Sequence, residues 1–129
     1  MGSRFVGVFP LNKLPPLSTL VSGNALILNT HTANLPGQHW IAVYVKPREL
    51  QVFDPLGATS YPHSLVAYLH MDPKRRVVYN RAIVQSPLAK DCGQHCLHWL
   101  KSKCVHVCVA EVLRISVIAF LSFRSTINM

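Results

Sequence analysis

Short apolar runs separated by turn residues dominate the first half of the chain. Residues 25–30 predict a buried strand, and residues 40–45 predict a clearer one because β-branched and aromatic side chains fill them. Residues 50–53 predict a third strand that stops before Pro55, since proline cannot donate a hydrogen bond to a sheet ladder. Because only a short turn separates the last two strands, we expect them to pair as a hairpin.

Helical spacing of apolar residues appears at two later places. Residues 64–71 predict one helix, which ends before a proline, and residues 92–101 predict another. Residues 76–84 predict a strand between them because most of their apolar side chains favour sheets. Residues 1–23 carry three prolines among scattered leucines and predict an irregular arm or a short helix. The side of the second helix that we expect to be buried carries Cys96, Leu97 and Leu100.

The length of 129 residues predicts one compact domain, residues 1–129. Residues 105–123 are apolar enough to raise the question of a membrane span, but Glu111 and Arg114 would each cost about 2.5–3.5 kcal/mol at a bilayer centre. We therefore expect a packed helix or strand there and no membrane partner. No sustained apolar run precedes Pro10, so we expect an intracellular protein that is not secreted.

The charge balance is strongly basic, with 13 Lys and Arg residues against 5 Asp and Glu residues and a formal net charge of +8. Such a charge suits a polyanion such as DNA or a negatively charged membrane surface, and it also suits a basic surface without a partner. The densest group, and our candidate nucleic-acid contact, consists of Lys74, Arg75, Arg76 and Arg81.

All four cysteines lie in the last third of the chain: Cys92, Cys96, Cys104 and Cys108. Their intervals match successive helix turns better than a secreted disulfide framework, which favours a reducing compartment. With His98 and His106 they also offer enough ligands for zinc. Because the spacing is wider than that of the short knuckles that close around zinc, we predict no metal site, and zinc binding remains an alternative.

Four residues spread along the chain could together form a nucleophilic site. Cys92 opens a predicted helix, where free backbone N–H groups and the helix dipole favour the thiolate. His39 could take the thiol proton, and Asp54 could orient the imidazole. The amide of Gln85 and the backbone N–H of Cys92 could donate to the negative oxygen of a tetrahedral intermediate.

Hairpin geometry tests whether His39 and Asp54 can meet. If the turn is centred near Pro47, opposite residues have numbers that sum to about 93 or 95, and an odd residue then faces an even one. Because side chains alternate between the two faces, His39 and Asp54 would point to the same side, directly opposite or one diagonal apart.

These residues resemble those of the adenovirus-type cysteine protease family, within the wider superfamily of SUMO and other ubiquitin-like deconjugating proteases. The similarity covers about residues 4–100, and residues 105–129 form a divergent C-terminal segment. Asp54 stands where the adenovirus enzymes usually have Glu, and Asp is normal in the wider superfamily. The matching segments are Phe5-Val6-Gly7-Val8-Phe9, Ala25-Leu26-Ile27-Leu28-Asn29-Thr30, His39-Trp40, Phe53-Asp54-Pro55-Leu56-Gly57, Gln85-Ser86-Pro87 and Cys92-Gly93.

The resemblance implies an α+β fold in which a small, mostly antiparallel sheet packs against a central helix that starts at the nucleophile. It implies a cysteine endopeptidase that needs no cofactor for its chemistry, is stimulated by DNA, and processes viral or mobile-element precursor proteins at small, glycine-containing sequences in the virion and host nucleus. The implied roles are His39 as base, Asp54 as its orienter, Gln85 as oxyanion donor, Cys92 as nucleophile and Trp40 as a residue flanking the substrate.

Two other functions fit the same sequence. A deconjugating protease for ubiquitin-like modifiers would share the mechanism and differ only in its substrate grooves. A non-enzymatic remnant would retain DNA or capsid binding, although every catalytic residue type is present. The oligomeric state is left open by the sequence.

Overall fold

The computed structural model describes residues 4–30, 39–55, 61–81 and 92–103. Within these ranges the chain forms five strands, two α-helices and two short 3₁₀ turns, Leu11–Lys13 and Leu17–Thr19. In chain order the strands and helices are β1 (Arg4–Phe9), β2 (Asn24–Asn29), β3 (Trp40–Val45), β4 (Glu49–Asp54), α1 (His63–Leu69), β5 (Arg76–Arg81) and α2 (Cys92–Ser102).

The described strands form one sheet in the order β1-β2-β3-β4-β5. The central strands β2, β3 and β4 pair antiparallel, whereas each edge strand runs parallel to its neighbour. The predicted α+β fold is confirmed, with a mixed sheet. One end of this sheet gathers the start of β3 and the ends of the other four strands, so it is the end to which His39 and Asp54 belong.

Alternating side chains of the central strands build a core on each face of the sheet. On one face, Ala42 and Phe53 pack with Cys96 and Leu100 of α2. On the other face, Val43 and Val52 pack with residues of α1. Leu65 and Leu69 are the buried residues of α1, one helical turn apart. The two helices therefore cover opposite faces of the sheet. Of the three α2 residues predicted to be buried, Cys96 and Leu100 are buried and Leu97 is partly buried.

The prediction of an irregular arm or short helix for residues 1–23 is wrong for Arg4–Phe9, which form edge strand β1. The pairing with β2 shifts register between Phe5 and Gly7, and Gly7 has a φ of 153°. A side chain at Gly7 would sit in a strained backbone conformation and press on the ring of Phe9. This glycine bulge interrupts the alternation that makes a strand recognisable in sequence.

The other elements agree with the sequence predictions at their centres and differ by a residue or two at their ends. The first helix ends at Leu69 rather than residue 71, and the last described strand spans Arg76–Arg81. Residues 82–84 of that predicted strand and the apolar segment 105–123 lie outside the described residues. Among the helices in the described part of the chain, none is both long and apolar enough to cross a bilayer.

Candidate active site

His39 and Asp54 meet at one end of the sheet. His39 Nε2 lies 2.6 Å from Asp54 Oδ1. The pair is shielded from solvent, with 8 % of His39 and none of Asp54 exposed. A buried carboxylate needs polar partners to offset its lost hydration, so this short contact is a structural requirement of the fold as well as a candidate catalytic one.

The hairpin register explains the contact. Ala42 lies opposite Phe53 in the antiparallel pairing of β3 with β4. Numbers of opposite residues therefore sum to 95, one of the two predicted values. Continuing this register places Asp54 opposite Ile41, two residues from His39 and on the same side of the strand. The predicted diagonal relation of His39 and Asp54 is confirmed.

The main chain of His39 is fixed by the end of β2. Its carbonyl oxygen accepts a hydrogen bond from the backbone N–H of Thr30 at 3.0 Å. The Thr30 hydroxyl also donates to that carbonyl, at 3.4 Å. Because Thr30 is itself buried, these contacts extend the β2–β3 pairing by one residue and hold His39 at the sheet end.

The contact bears on which ring nitrogen can accept a proton. An ionised carboxylate only accepts hydrogen bonds, so with Asp54 ionised it is His39 Nε2 that carries the proton pointing to Asp54. The neutral imidazole then has its lone pair on Nδ1. Nδ1 is buried as well. The arrangement can therefore accept a proton at Nδ1 while Asp54 stabilises the resulting positive charge.

Tyr61 is a third member of this cluster, and the sequence analysis missed it. Its hydroxyl donates to Asp54 Oδ2 at 2.5 Å. Its ring stacks on that of Tyr79 in β5, with centroids 6.0 Å apart and planes inclined by 17°. A buried carboxylate has two oxygens to satisfy, so a second donor was to be expected. The sequence offered no way to choose among the hydroxyl residues that follow Asp54.

Helix α2 packs on residues that directly adjoin the His39–Asp54 pair. The Cys96 thiol donates to the carbonyl oxygen of Trp40 at 3.4 Å, and Trp40 follows His39. The ring of Trp99 stacks on Phe53 at 5.2 Å and 8°, and Phe53 precedes Asp54. Since the backbone of Cys92 begins α2 one turn before Cys96, the first turn of the helix lies at the same end of the sheet.

The remaining predicted site residues are described to different extents. Cys92 is described through its backbone, as the first residue of α2. Gln85 lies outside the described residues. The side chain of Trp40 is 4 % exposed and packs in the core beneath α2, so its role beside a substrate stays a prediction.

The predicted basic cluster is divided by the structure. Arg76 and Arg81 lie at opposite ends of β5, about 16 Å apart at the usual rise of a strand. Arg75 contacts Asp72 at 3.7 Å and donates to the Leu20 carbonyl oxygen. Lys74 and Arg76, by contrast, line one pocket at the sheet end opposite His39.

We call this pocket the basic pocket. Its volume is about 640 Å³, and besides Lys74 and Arg76 it is lined by Lys46, Pro47, Arg48, Glu49 and Pro73. Glu49 lies 3.5 Å from Lys46 Nζ and 3.7 Å from Arg76 Nε. Four cations therefore share a single carboxylate in the lining, so the basic pocket carries a positive charge.

No group of three or more His, Cys, Asp or Glu side chains suited to a metal ion occurs in the part of the chain that the structure describes. The alternative zinc ligands Cys104, His106 and Cys108 lie outside that part. Cys96 is buried, and its thiol donates to the Trp40 carbonyl oxygen.

Comparisons with models of protein families, with curated proteins and with solved structures find no match to this chain.

Proposed function

We propose that this protein is a cysteine endopeptidase in which Cys92 is the nucleophile, His39 the base and Asp54 the residue that orients the base. The observation that carries the proposal is the buried contact of His39 Nε2 with Asp54 Oδ1 at 2.6 Å. Packing of α2 on Trp40 and Phe53 adds support, because it brings the helix that begins at Cys92 to the same end of the sheet, on the face opposite to that of Ile41 and Val52.

In the proposed reaction, His39 Nδ1 takes the Cys92 proton and the thiolate attacks the carbonyl carbon of a peptide bond. The tetrahedral intermediate collapses, the C–N bond breaks, and the imidazolium gives its proton to the leaving amine. Water then attacks the thioester while His39 takes one of its protons. The C–S bond breaks, a carboxylic acid leaves, and the thiol of Cys92 is restored.

The amide of Gln85 and the backbone N–H of Cys92 are the proposed donors to the negatively charged oxygen of each tetrahedral intermediate. Loss of one such donor costs about 2.7–4 kcal/mol of transition-state stabilisation. A Gln85→Ala variant should therefore lose turnover while its thiol keeps reacting with small electrophiles, which develop no such oxygen.

Alkylation by iodoacetamide tests the proposal without a known substrate. Mass spectrometry resolves the rates at Cys92, Cys96, Cys104 and Cys108, and we expect Cys92 to react fastest at neutral pH. His39→Ala and Asp54→Asn should each slow Cys92 by about tenfold or more. His98→Ala is the matched control, because His98 is an exposed imidazole on α2 itself. Equal rates at all four thiols, or no effect of His39→Ala, would refute the proposal.

Substrate competition separates the endopeptidase from the deconjugating alternative. The enzyme is offered glycine-containing peptides with residues on both sides of the scissile bond, and fusions that end in a ubiquitin-like tail. Cleavage of the internal peptides supports the endopeptidase, and cleavage of the fusions alone supports deconjugation. No cleavage of either, by a protein whose Cys92 is no more reactive than its other thiols, supports the non-enzymatic remnant.

We further propose that the basic pocket contacts DNA, the polyanion expected from the net charge of +8. The supporting observation is the convergence of Lys46, Arg48, Lys74 and Arg76 on one pocket. Each phosphate contact that is lost should reduce the slope of log binding constant against log salt concentration by about 1.

The salt dependence of binding to a DNA duplex tests this proposal. Lys46→Ala and Arg48→Ala should each weaken binding and lower the slope. Lys101→Ala is the control, because Lys101 is an exposed lysine on α2, away from the pocket. If the control lowers the slope as much as the pocket variants do, the pocket is not the DNA contact.

A further inference from the structure

We propose that Tyr61 is a positioning residue of the candidate active site, which holds the Asp54 carboxylate so that His39 keeps its proton on Nε2 and its lone pair on Nδ1. The expected effect of Tyr61 on Cys92 rests on the proposed function, whereas its expected effect on His39 does not. The observation behind it is that one carboxylate receives two different donors on its two oxygens.

The first step concerns rotation of the carboxylate. The last torsion of an aspartate side chain is broad, so a carboxylate held at one oxygen can still turn. In this structure His39 Nε2 contacts Oδ1 at 2.6 Å and the Tyr61 hydroxyl donates to Oδ2 at 2.5 Å. Two contacts from different directions fix the plane of the carboxylate, and with it the direction in which His39 must point its N–H.

The second step concerns what holds Tyr61 itself. Its ring packs against the core on the α1 face and stacks on Tyr79. It directly precedes Pro62, whose fixed φ leads into α1 at His63. These contacts restrict the aromatic ring, so the hydroxyl is presented to Asp54 by a rigid support.

The third step is the consequence for chemistry. A base that must accept a proton at Nδ1 works only while Nε2 keeps its proton and the ring keeps its orientation. The Tyr61 hydroxyl donates to the Asp54 carboxylate, so it acts on His39 through Asp54. Removing it should loosen the His39–Asp54 contact while leaving both side chains in place.

The experiment compares Tyr61→Phe with two matched hydroxyl deletions. Tyr79→Phe alters the stacking partner, whose hydroxyl contacts His70. Tyr68→Phe removes a hydrogen bond of equal length to the Pro15 carbonyl oxygen, far from Asp54 in the chain, and so controls for lost stability. Circular dichroism confirms that each variant is folded before it is compared.

The first readout is solvent exchange of the His39 Nε2–H proton, observed by nitrogen-15 NMR and assigned by its absence from His39→Ala. Exchange should accelerate about tenfold in Tyr61→Phe, the effect of losing one hydrogen bond to a charged acceptor, and should stay within twofold of the unmodified protein in the two controls. Exchange in Tyr61→Phe that matches Tyr68→Phe would overturn the inference.

The second readout is the rate of Cys92 alkylation by iodoacetamide, which should fall about tenfold in Tyr61→Phe. In an Asp54→Asn background the same substitution should have less than a twofold effect, because the residue through which it acts has changed. Equal effects in both backgrounds would overturn the inference. Two results together would separate the inference from the proposed function. If Nε2–H exchange is faster in Tyr61→Phe but the rate of Cys92 alkylation is unchanged in His39→Ala, the role of Tyr61 in holding Asp54 is supported and the proposed function is refuted.

Discussion

The two ends of the sheet differ in how far their charged side chains are buried. At the end that holds His39, a carboxylate is buried and contacted at 2.5 and 2.6 Å by Tyr61 and His39. At the end that holds the basic pocket, Glu49 contacts Lys46 and Arg76 at 3.5 and 3.7 Å, and the Arg76 side chain is 81 % exposed. The first set is fixed by packing, and the second is screened by water.

The difference follows from desolvation. A buried charge is tolerated only when its partners have good geometry, so the fold must hold His39, Asp54 and Tyr61 in place. Exposed ion pairs contribute little and leave their cations available to other anions. Fixed geometry suits chemistry at a chosen atom, whereas a loose set of cations suits contact with a phosphate backbone. The contrast therefore agrees with our proposals of catalysis at the His39 end and DNA binding at the basic pocket.

The largest stability effect is expected at the His39 end. His39→Ala should lower the free energy of unfolding by about 3–5 kcal/mol, because it leaves the buried Asp54 carboxylate without one of its partners. Urea unfolding measures the loss. His70→Ala, which removes an exposed imidazole, should change stability by less than about 1 kcal/mol. Similar losses in both variants would mean that the buried His39–Asp54 contact contributes no more to the free energy of unfolding than an exposed imidazole does.

A smaller contrast is expected between two tyrosine hydroxyls with equally short contacts. Tyr61→Phe should cost about 1.5–3 kcal/mol because its acceptor, Asp54, is charged. Tyr68→Phe should cost about 0.5–1.5 kcal/mol because its acceptor, the Pro15 carbonyl oxygen, is neutral. Urea unfolding of both variants at neutral pH gives the comparison, and a reversed order would contradict an ionised Asp54.

Alkaline pH should destabilise the protein through Tyr68. Burial raises the pKa of Tyr68 from 10.0 to about 12. Between these values the unfolded chain loses the phenol proton and the folded chain keeps it, so this contribution is fully present below pH 10 and is lost as the pH rises towards 12. Unfolding measured across this window should show a shallower decline in Tyr68→Phe. If stability declines with pH equally in Tyr68→Phe and in the unmodified protein, groups other than Tyr68 cause the decline.

The smallest stability effect is expected at the basic pocket. Glu49→Gln should change the free energy of unfolding by less than about 1 kcal/mol, as for other exposed ion pairs. The same substitution removes the one carboxylate of the pocket lining, so binding to a DNA duplex should tighten by a factor of about two to five. Asp72→Asn removes an equal charge outside the lining and is the control. Weaker binding of Glu49→Gln would exclude the pocket as a DNA contact.

Prediction from sequence succeeded where one local pattern was enough. The hairpin of β3 and β4 was predicted because both strands have β-favouring side chains and a short turn fixes their register. It failed at β1, where Gly7 and its bulge interrupt the pattern. The basic cluster was predicted from residues that are close in sequence, but Arg76 and Arg81 lie at opposite ends of β5. The basic pocket also contains Lys46 and Arg48, which belong to the turn between β3 and β4.

The sequence alone determined the central hairpin and the placement of His39 and Asp54 on one side of it, because side-chain alternation and turn length are local properties. The α+β class was implied by the resemblance to a known family. The tertiary structure decided what those residues touch. Tyr61 reaches Asp54 through the packing of its ring on Tyr79, and α2 reaches Trp40 and Phe53 through a core that no local pattern specifies. Such contacts depend on how segments that are distant in sequence pack against one another, which only the folded chain determines.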